Sequence, residues 1–137
     1  MGRRDALAQD ALLGVHVVVV DDDASARDLL KTVLEYCGAL VTVVESAPDA
    51  LRALQRVTPD VLLSDIAMPE HDGYWLIDQL RMLPTATARA VPAVAITGHS
   101  DVHGPDRTLG SGFTAHLRKP VDPWELCRVI ANLARRA

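Results

Sequence analysis

Hydrophobic positions along the 137-residue chain follow two alternating rhythms. HVVVVDD, from His16 to Asp22, is a continuous apolar run ending in acid, and it predicts a strand buried on both faces. Ala26, Leu29, Leu30, Val33, Leu34 and Cys37 then take the spacing of an amphipathic helix, which Gly38 stops as its C′ residue. ALVTVVES predicts the second strand. Ser46 caps a helix whose Pro48 suits a first turn and whose inner face is Ala47, Ala50, Leu51 and Leu54. PDVLLSD is the third strand, followed by a helix from Asp72 to Leu83 with Leu76, Ile77 and Leu80 inward. VPAVAITG and the shorter AHLRKP complete the strands. The last helix opens with Asp122, Pro123 and Glu125, a cap, a first-turn proline and a carboxylate three residues after the cap, and turns Leu126, Val129, Ile130 and Leu133 inward. HSDVHGPDRTLGSG holds a further helix if the alternation is kept, against the helix-breaking tendency of Gly104, Pro105, Gly110 and Gly112.

Strand alternating with helix implies a parallel sheet covered on both faces, an α/β doubly wound domain. The division is a lead-in or linker over residues 1–14, part helical through Ala6, Leu7, Ala11 and Leu12, and one domain over 15–137. At 49% hydrophobic and 23% charged residues the composition is that of an ordinary globular domain. A net charge of -4 argues against a nucleic-acid surface, and no apolar run is long enough to span a bilayer or act as a signal peptide. Cys37 and Cys127 have no metal-ligand spacing and fall on apolar helix faces, so buried free thiols in a reducing, cytoplasmic setting are expected.

In open sheets of this kind ligands sit outside the carboxyl ends of the strands. Those ends carry Asp21 and Asp22, Asp65, Thr97 and Lys119. Oxygen ligands without sulfur or imidazole suit a hard divalent cation, Mg²⁺ or Mn²⁺, which would neutralise the acidic run Asp21–Asp23. A carboxylate, a metal and an amine are also the parts that hold a transferring phosphoryl group.

VVVVDD, SDIAMPEHDG, AITG and HLRKPV, in this order and spacing, resemble the receiver domain of two-component response regulators over residues 15–135. The run GFTAHLRKPVDPWEL is most similar to receivers of hybrid histidine kinases. The resemblance implies a flavodoxin-like sheet of order 2-1-3-4-5. It makes Asp65 the phosphoacceptor, fed from a phosphohistidine on a histidine kinase or histidine phosphotransfer domain. Asp21, Asp22, Asp65 and the backbone carbonyl of Ala67 become the Mg²⁺ ligands. Thr97, Gly98 and Lys119 contact the phosphoryl group, and Thr97 with His116 forms the switch. Pro69 and Gly73 shape the turn after the third strand, and Pro120 follows the lysine through a cis bond. Two features depart from the family: His116 stands where Tyr or Phe is usual, and the helix before the fifth strand is rich in Gly and Pro.

Plainer roles suit other residues. Asp23 is read as a helix cap. His16, His71, His99 and His103 lack ligand spacing, Trp75 and Trp124 are packing residues, and Arg3–Arg4 and Arg135–Arg136 are solvated ends. Two functions compete with the phosphoacceptor switch. One is a receiver-like interaction module that is not phosphorylated, with His116 as its support. The other is a Mg²⁺-dependent aspartyl phosphatase of the haloacid dehalogenase type, whose pattern needs a second Asp where this chain has Ala67. The domain is therefore expected to be no enzyme beyond its own phosphorylation and dephosphorylation. The apolar Ala67 and the imidazole of His99 leave attacking water poorly placed, so slow self-dephosphorylation is expected. No effector domain follows Arg136, which fits a stand-alone regulator or the receiver of a hybrid kinase, with homodimerisation open and no contact with nucleic acid or membrane.

Overall fold

Five parallel strands form the centre of the computed structural model, which describes residues 9–98 and 104–134. β1 (His16–Val20), β2 (Leu40–Val44), β3 (Val61–Asp65), β4 (Ala93–Thr97) and β5 (Ala115–Arg118) pair in the order β2-β1-β3-β4-β5. The helices are α1 (Ala24–Tyr36), α2 (Ala47–Arg56), α3 (Gly73–Leu80), α4 (Ala86–Arg89), α5 (Gly104–Gly110) and α6 (Pro123–Ala134).

The strand period of two divides the apolar side chains between two cores. Val18, Val20, Leu62, Ala93 and Ala95 face one way, onto Ala50 and Leu54 of α2 and Leu76, Ile77 and Leu80 of α3. Val17, Val19, Leu63, Val94 and Ile96 face the other, onto Leu30 and Leu34 of α1 and Leu126 and Ile130 of α6. The mainly apolar β1, β3 and β4 are buried through both faces, as their sequences predict, whereas β2 lies at the sheet edge half exposed.

Helix caps follow the sequence closely. Asp23 accepts from the amide of Ala26, Ser46 from Asp49, and Asp72 from Trp75. Asp122 accepts from the amide of Trp124. Gly38 ends α1 at φ +99°, and a Cβ there would lie 3.2 Å from the Leu13 backbone. The lead-in is seated at this point: Leu12 is fully buried and its amide donates to the Cys37 carbonyl at 2.8 Å. Ala6, Leu7, the two arginine pairs, His99 and His103 lie outside the described residues.

Two expectations are corrected. Leu29 is not on the inner face of α1 but 59% exposed, because Leu30 and Leu34 already fill the stripe that meets the sheet. The third helix ends at Leu80 rather than Leu83. Its last amides shorten their reach, Met82 bonding the Gln79 carbonyl and Leu83 that of Leu80, and Pro84 then disfavours helical geometry at Leu83. Arg81, left on this turn, donates to the carbonyls of Arg89, Val91 and Gly112. It thereby ties the unforeseen α4 to the segment before β5. The Gly- and Pro-rich segment does contain a helix, α5. Its Thr108 hydroxyl, fully buried, lies 3.2 Å from the Tyr74 hydroxyl, and Arg107 stacks 4.0 Å over the Tyr74 ring.

Candidate functional site

Parallel strands deliver their last residues to one edge, so residues remote in sequence converge there. Asp21, Asp22 and Asp65 place carboxylate oxygens within 4.8 Å of one another. Lys119, following β5, reaches in from the side, with Nζ 3.5 Å from Asp65 Oδ2 and 3.8 Å from Asp21 Oδ2. Asp21 and Asp65 are almost wholly buried, while Asp22 is exposed.

The two buried carboxylates are each aimed by a local bond. Asp21 Oδ1 accepts from the amide of Asp23, and Arg27 grips the Asp21 carbonyl at 2.8 Å. Asp65 Oδ1 accepts from the amide of Ala67 at 3.3 Å. Gly73 lies directly behind: its amide donates to the Ile66 carbonyl at 2.9 Å, and an added Cβ would fall 2.8 Å from the Asp65 carbonyl. The turn between them includes Pro69, and Glu70 takes φ +68°. Lys119–Pro120 is cis, as the resemblance to receiver domains implies.

The charges are poorly balanced. Burial first and Asp21 second push the Asp65 carboxyl up to about 6, against the opposing pull of Lys119 and the Ala67 amide. Burial likewise raises Asp21, opposed by its bond from the Asp23 amide and by Lys119. Asp21 Oδ2 is buried without a hydrogen-bond donor. An oxygen-only set with an orphaned buried carboxylate oxygen fits a hard divalent cation, and one lysine does not neutralise three acids.

The remaining predicted residues stand on the rim. Thr97 is buried at the end of β4, and its Oγ1 lies 2.7 Å from His116 Nε2. A Cβ on Gly98 would meet no atom within 4 Å, so this position leaves open space beside Thr97. Asp23, Ala26, Leu29, Leu30, Pro120 and Val121 line a mostly apolar groove of about 220 Å³ that begins at Asp21 and Lys119 and runs between α1 and the segment leading from β5 into α6. Sequence reasoning assigned Leu29 to the core and missed this groove. Its signal was available: Leu29, Val33 and Tyr36 form a second apolar stripe beside the inward one. His71 stacks on Trp75 at 4.2 Å and His16 bonds the Thr42 hydroxyl, both away from the acid cluster.

With this geometry in place, the comparisons with known proteins agree among themselves. The model of the response regulator receiver domain matches residues 17–131. The uncharacterized 14.6 kDa protein in the sodA1 3′ region of Leptolyngbya boryana is 45% identical over 119 residues, 87% of this chain and 89% of that protein. The DNA-binding transcriptional regulator NtrC of Escherichia coli K12 is 39% identical over 106 residues, 77% of this chain but only 22% of that longer protein. Among solved structures, the receiver domain of the Francisella response regulator 1452 superposes with a TM-score of 0.80 at 28% identity, covering 90% of this chain and 98% of that one. The receiver domain of the sensor histidine kinase PA1611 from Pseudomonas aeruginosa, described with a magnesium ion coordinated in its active-site cleft, gives 0.79 at 27% identity, covering 89% and 98%.

The chain belongs to the response regulator receiver domain family. It is a flavodoxin-like signalling module of two-component systems, a class whose members work with histidine kinases or phosphotransfer proteins and bind Mg²⁺ at the acidic edge. Among the described residues, no helix is long and apolar enough to cross a membrane.

Proposed function

We propose that Asp65 is the phosphoacceptor of this receiver and takes a phosphoryl group from a phosphohistidine on a partner protein. The observation that carries the reading is Lys119 Nζ, 3.5 Å from Asp65 Oδ2 at the mouth of the acid cluster. A carboxylate oxygen of Asp65 attacks phosphorus as the P–N bond to the donor imidazole breaks, and the ring nitrogen keeps the bonding pair and takes a proton. Lys119 meets the negative oxygens of the transferring group, and the Thr97 hydroxyl and the open space at Gly98 accommodate it. Asp21, Asp22, Asp65 and the carbonyl of Ala67 would hold Mg²⁺, or Mn²⁺ in its place; the ion supplies charge neutralisation between the acids and the phosphoryl oxygens.

The donor must bring its imidazole to Asp65 along an open face, and the groove beside α1 with Leu29 on its wall is such a face. Thr97 and His116 form the switch, carrying the state of Asp65 along β4 and β5. Residues 15–137 are the receiver and 1–14 the lead-in, in a cytoplasmic protein that is a stand-alone regulator or the receiver of a hybrid kinase. It promotes its own phosphorylation and slow dephosphorylation, and it contacts neither nucleic acid nor membrane.

Intact mass after incubation with Mg²⁺ and a small acyl phosphate, wild type beside Asp65→Asn, tests the assignment. One phosphoryl group on the wild type alone supports it. No label on either protein would favour an unphosphorylated interaction module, and label on the variant would place the acceptor elsewhere. Continuous release of phosphate with many turnovers would restore the phosphatase reading.

A further inference from the structure

The two cysteines, ninety positions apart, meet in the fold. Cys37 at the C-cap of α1 and Cys127 in the second turn of α6 place their sulfurs 3.0 Å apart in the core between these helices. Both thiols are free and buried, at 0% and 6% exposure. Two thiols in ordinary contact sit farther apart than this, so the closed fold already holds the sulfurs close together. Leu34, Ile130 and Ala131 belong to the same apolar core, and among the described residues no cluster of metal-ligating side chains includes either cysteine.

We propose that Cys37 and Cys127 are a redox pair that closes to an intramolecular disulfide between α1 and α6, with hydrogen peroxide as the oxidant. One sulfur, as thiolate, attacks the peroxide O–O bond, giving a sulfenic acid and hydroxide. The second sulfur displaces the sulfenic hydroxyl as water, and the protons of both thiols end in water. In sum, two thiols and one peroxide give one disulfide and two waters. The adjacent sulfur intercepts the sulfenic acid at once, so oxidation stops before the irreversible sulfinic stage.

Burial and the neighbouring Cys37 push the Cys127 thiol up to about 12, so in the closed fold this thiol holds its proton. Reaction therefore proceeds through openings of α6, slowly and without competition from bulky electrophiles. Both helices lead away from the acid cluster, α1 from Asp21 and Asp22, α6 from Lys119 and Pro120. Bridged, they hold the two walls of the apolar groove at a fixed spacing.

The test treats the folded wild type, Cys37→Ala and Cys127→Ala with hydrogen peroxide. Remaining thiols are then alkylated in denaturant, followed by intact mass and a non-reducing digest. The expected result is a loss of two hydrogens and no alkyl groups in the wild type, and a linked Cys37–Cys127 peptide. The melting temperature should rise by roughly 5 °C or more and be restored by dithiothreitol. Neither variant should form an intramolecular bridge. Two alkylated thiols after prolonged oxidation, a bridge only between molecules, or a bridged protein that melts lower would each overturn the proposal. These readouts need no phosphoryl donor, so they stand apart from the assignment of Asp65.

Discussion

Thr97 Oγ1 and His116 Nε2 lie 2.7 Å apart, joining the end of β4 to the interior of its neighbour β5. An imidazole here has an option that an aromatic ring without nitrogen lacks. With the proton on Nε2 it donates to the threonine oxygen and leaves the hydroxyl hydrogen free for a phosphoryl oxygen. With the proton on Nδ1 the hydroxyl must donate to the ring instead. Phosphorylation is therefore expected to select the Nε2–H form without parting the pair. Nitrogen-15 NMR of the His116 ring, before and after treatment with Mg²⁺ and acyl phosphate, reads this directly. Ring shifts unmoved by phosphorylation would sever the proposed link.

Gly73 is packed too closely to accept a side chain. A Cβ would stand 2.8 Å from the Asp65 carbonyl and 3.0 Å from the Ile66 Cα, contacts that only backbone movement relieves. Gly73→Ala is expected to cost about 1–3 kcal/mol, read as a lower urea midpoint. Because the displaced carbonyl belongs to the proposed acceptor, phosphoryl uptake should slow as well. A fully active variant of unchanged stability would show that the turn yields easily.

Asp65 makes the fold depend on pH in the direction opposite to an ion-paired carboxylate. Its folded value of about 6 exceeds the ordinary 3.8, so between these values the native state binds more protons than the unfolded chain. Its contribution to stability is thus greatest at low pH and is lost as pH rises from about 4 to about 6. In the presence of a chelator, Asp65→Asn should be more stable than the wild type at pH 7 by roughly 1–3 kcal/mol. The difference should vanish near pH 4, where both side chains are neutral. Urea unfolding of the pair across this range measures it, and a variant less stable at pH 7 would contradict the sign.

Leu29 separates docking from chemistry. At 59% exposure it lies on the groove wall and packs little, so Leu29→Glu should change stability by no more than about 0.5 kcal/mol. Uptake from a small acyl phosphate should be unaffected. Transfer from a phosphohistidine protein should fall at least about tenfold, the equivalent of about 1.4 kcal/mol of lost contact. Equal rates from both donors would remove the groove from the encounter.

Much of this architecture is written in runs and periods. Apolar runs mark the three central strands, and Asp21, Asp65 and Thr97 are legible because each stands where such a strand ends. What stayed hidden depends on distances that no local pattern carries. The choice between Leu29 and Leu30 turns on how far α1 is rotated against the sheet. The end of α3 depends on Arg81 finding three carbonyls from two other segments. The meeting of Cys37 and Cys127, like that of Tyr74 and Thr108, exists only once the helices are docked.

The seating of Leu12 against Cys37 has a consequence for how the molecule is connected. All five strands point towards the acid cluster, so the chain enters β1 from the far side of the sheet. α6 starts beside Lys119 and runs back, so the described chain leaves from that far side too. Entry to β1 and exit from α6 therefore share one side, like the two holes of a button seen from the back. The acid cluster and the points where the described chain begins and ends thus lie at opposite edges of the sheet.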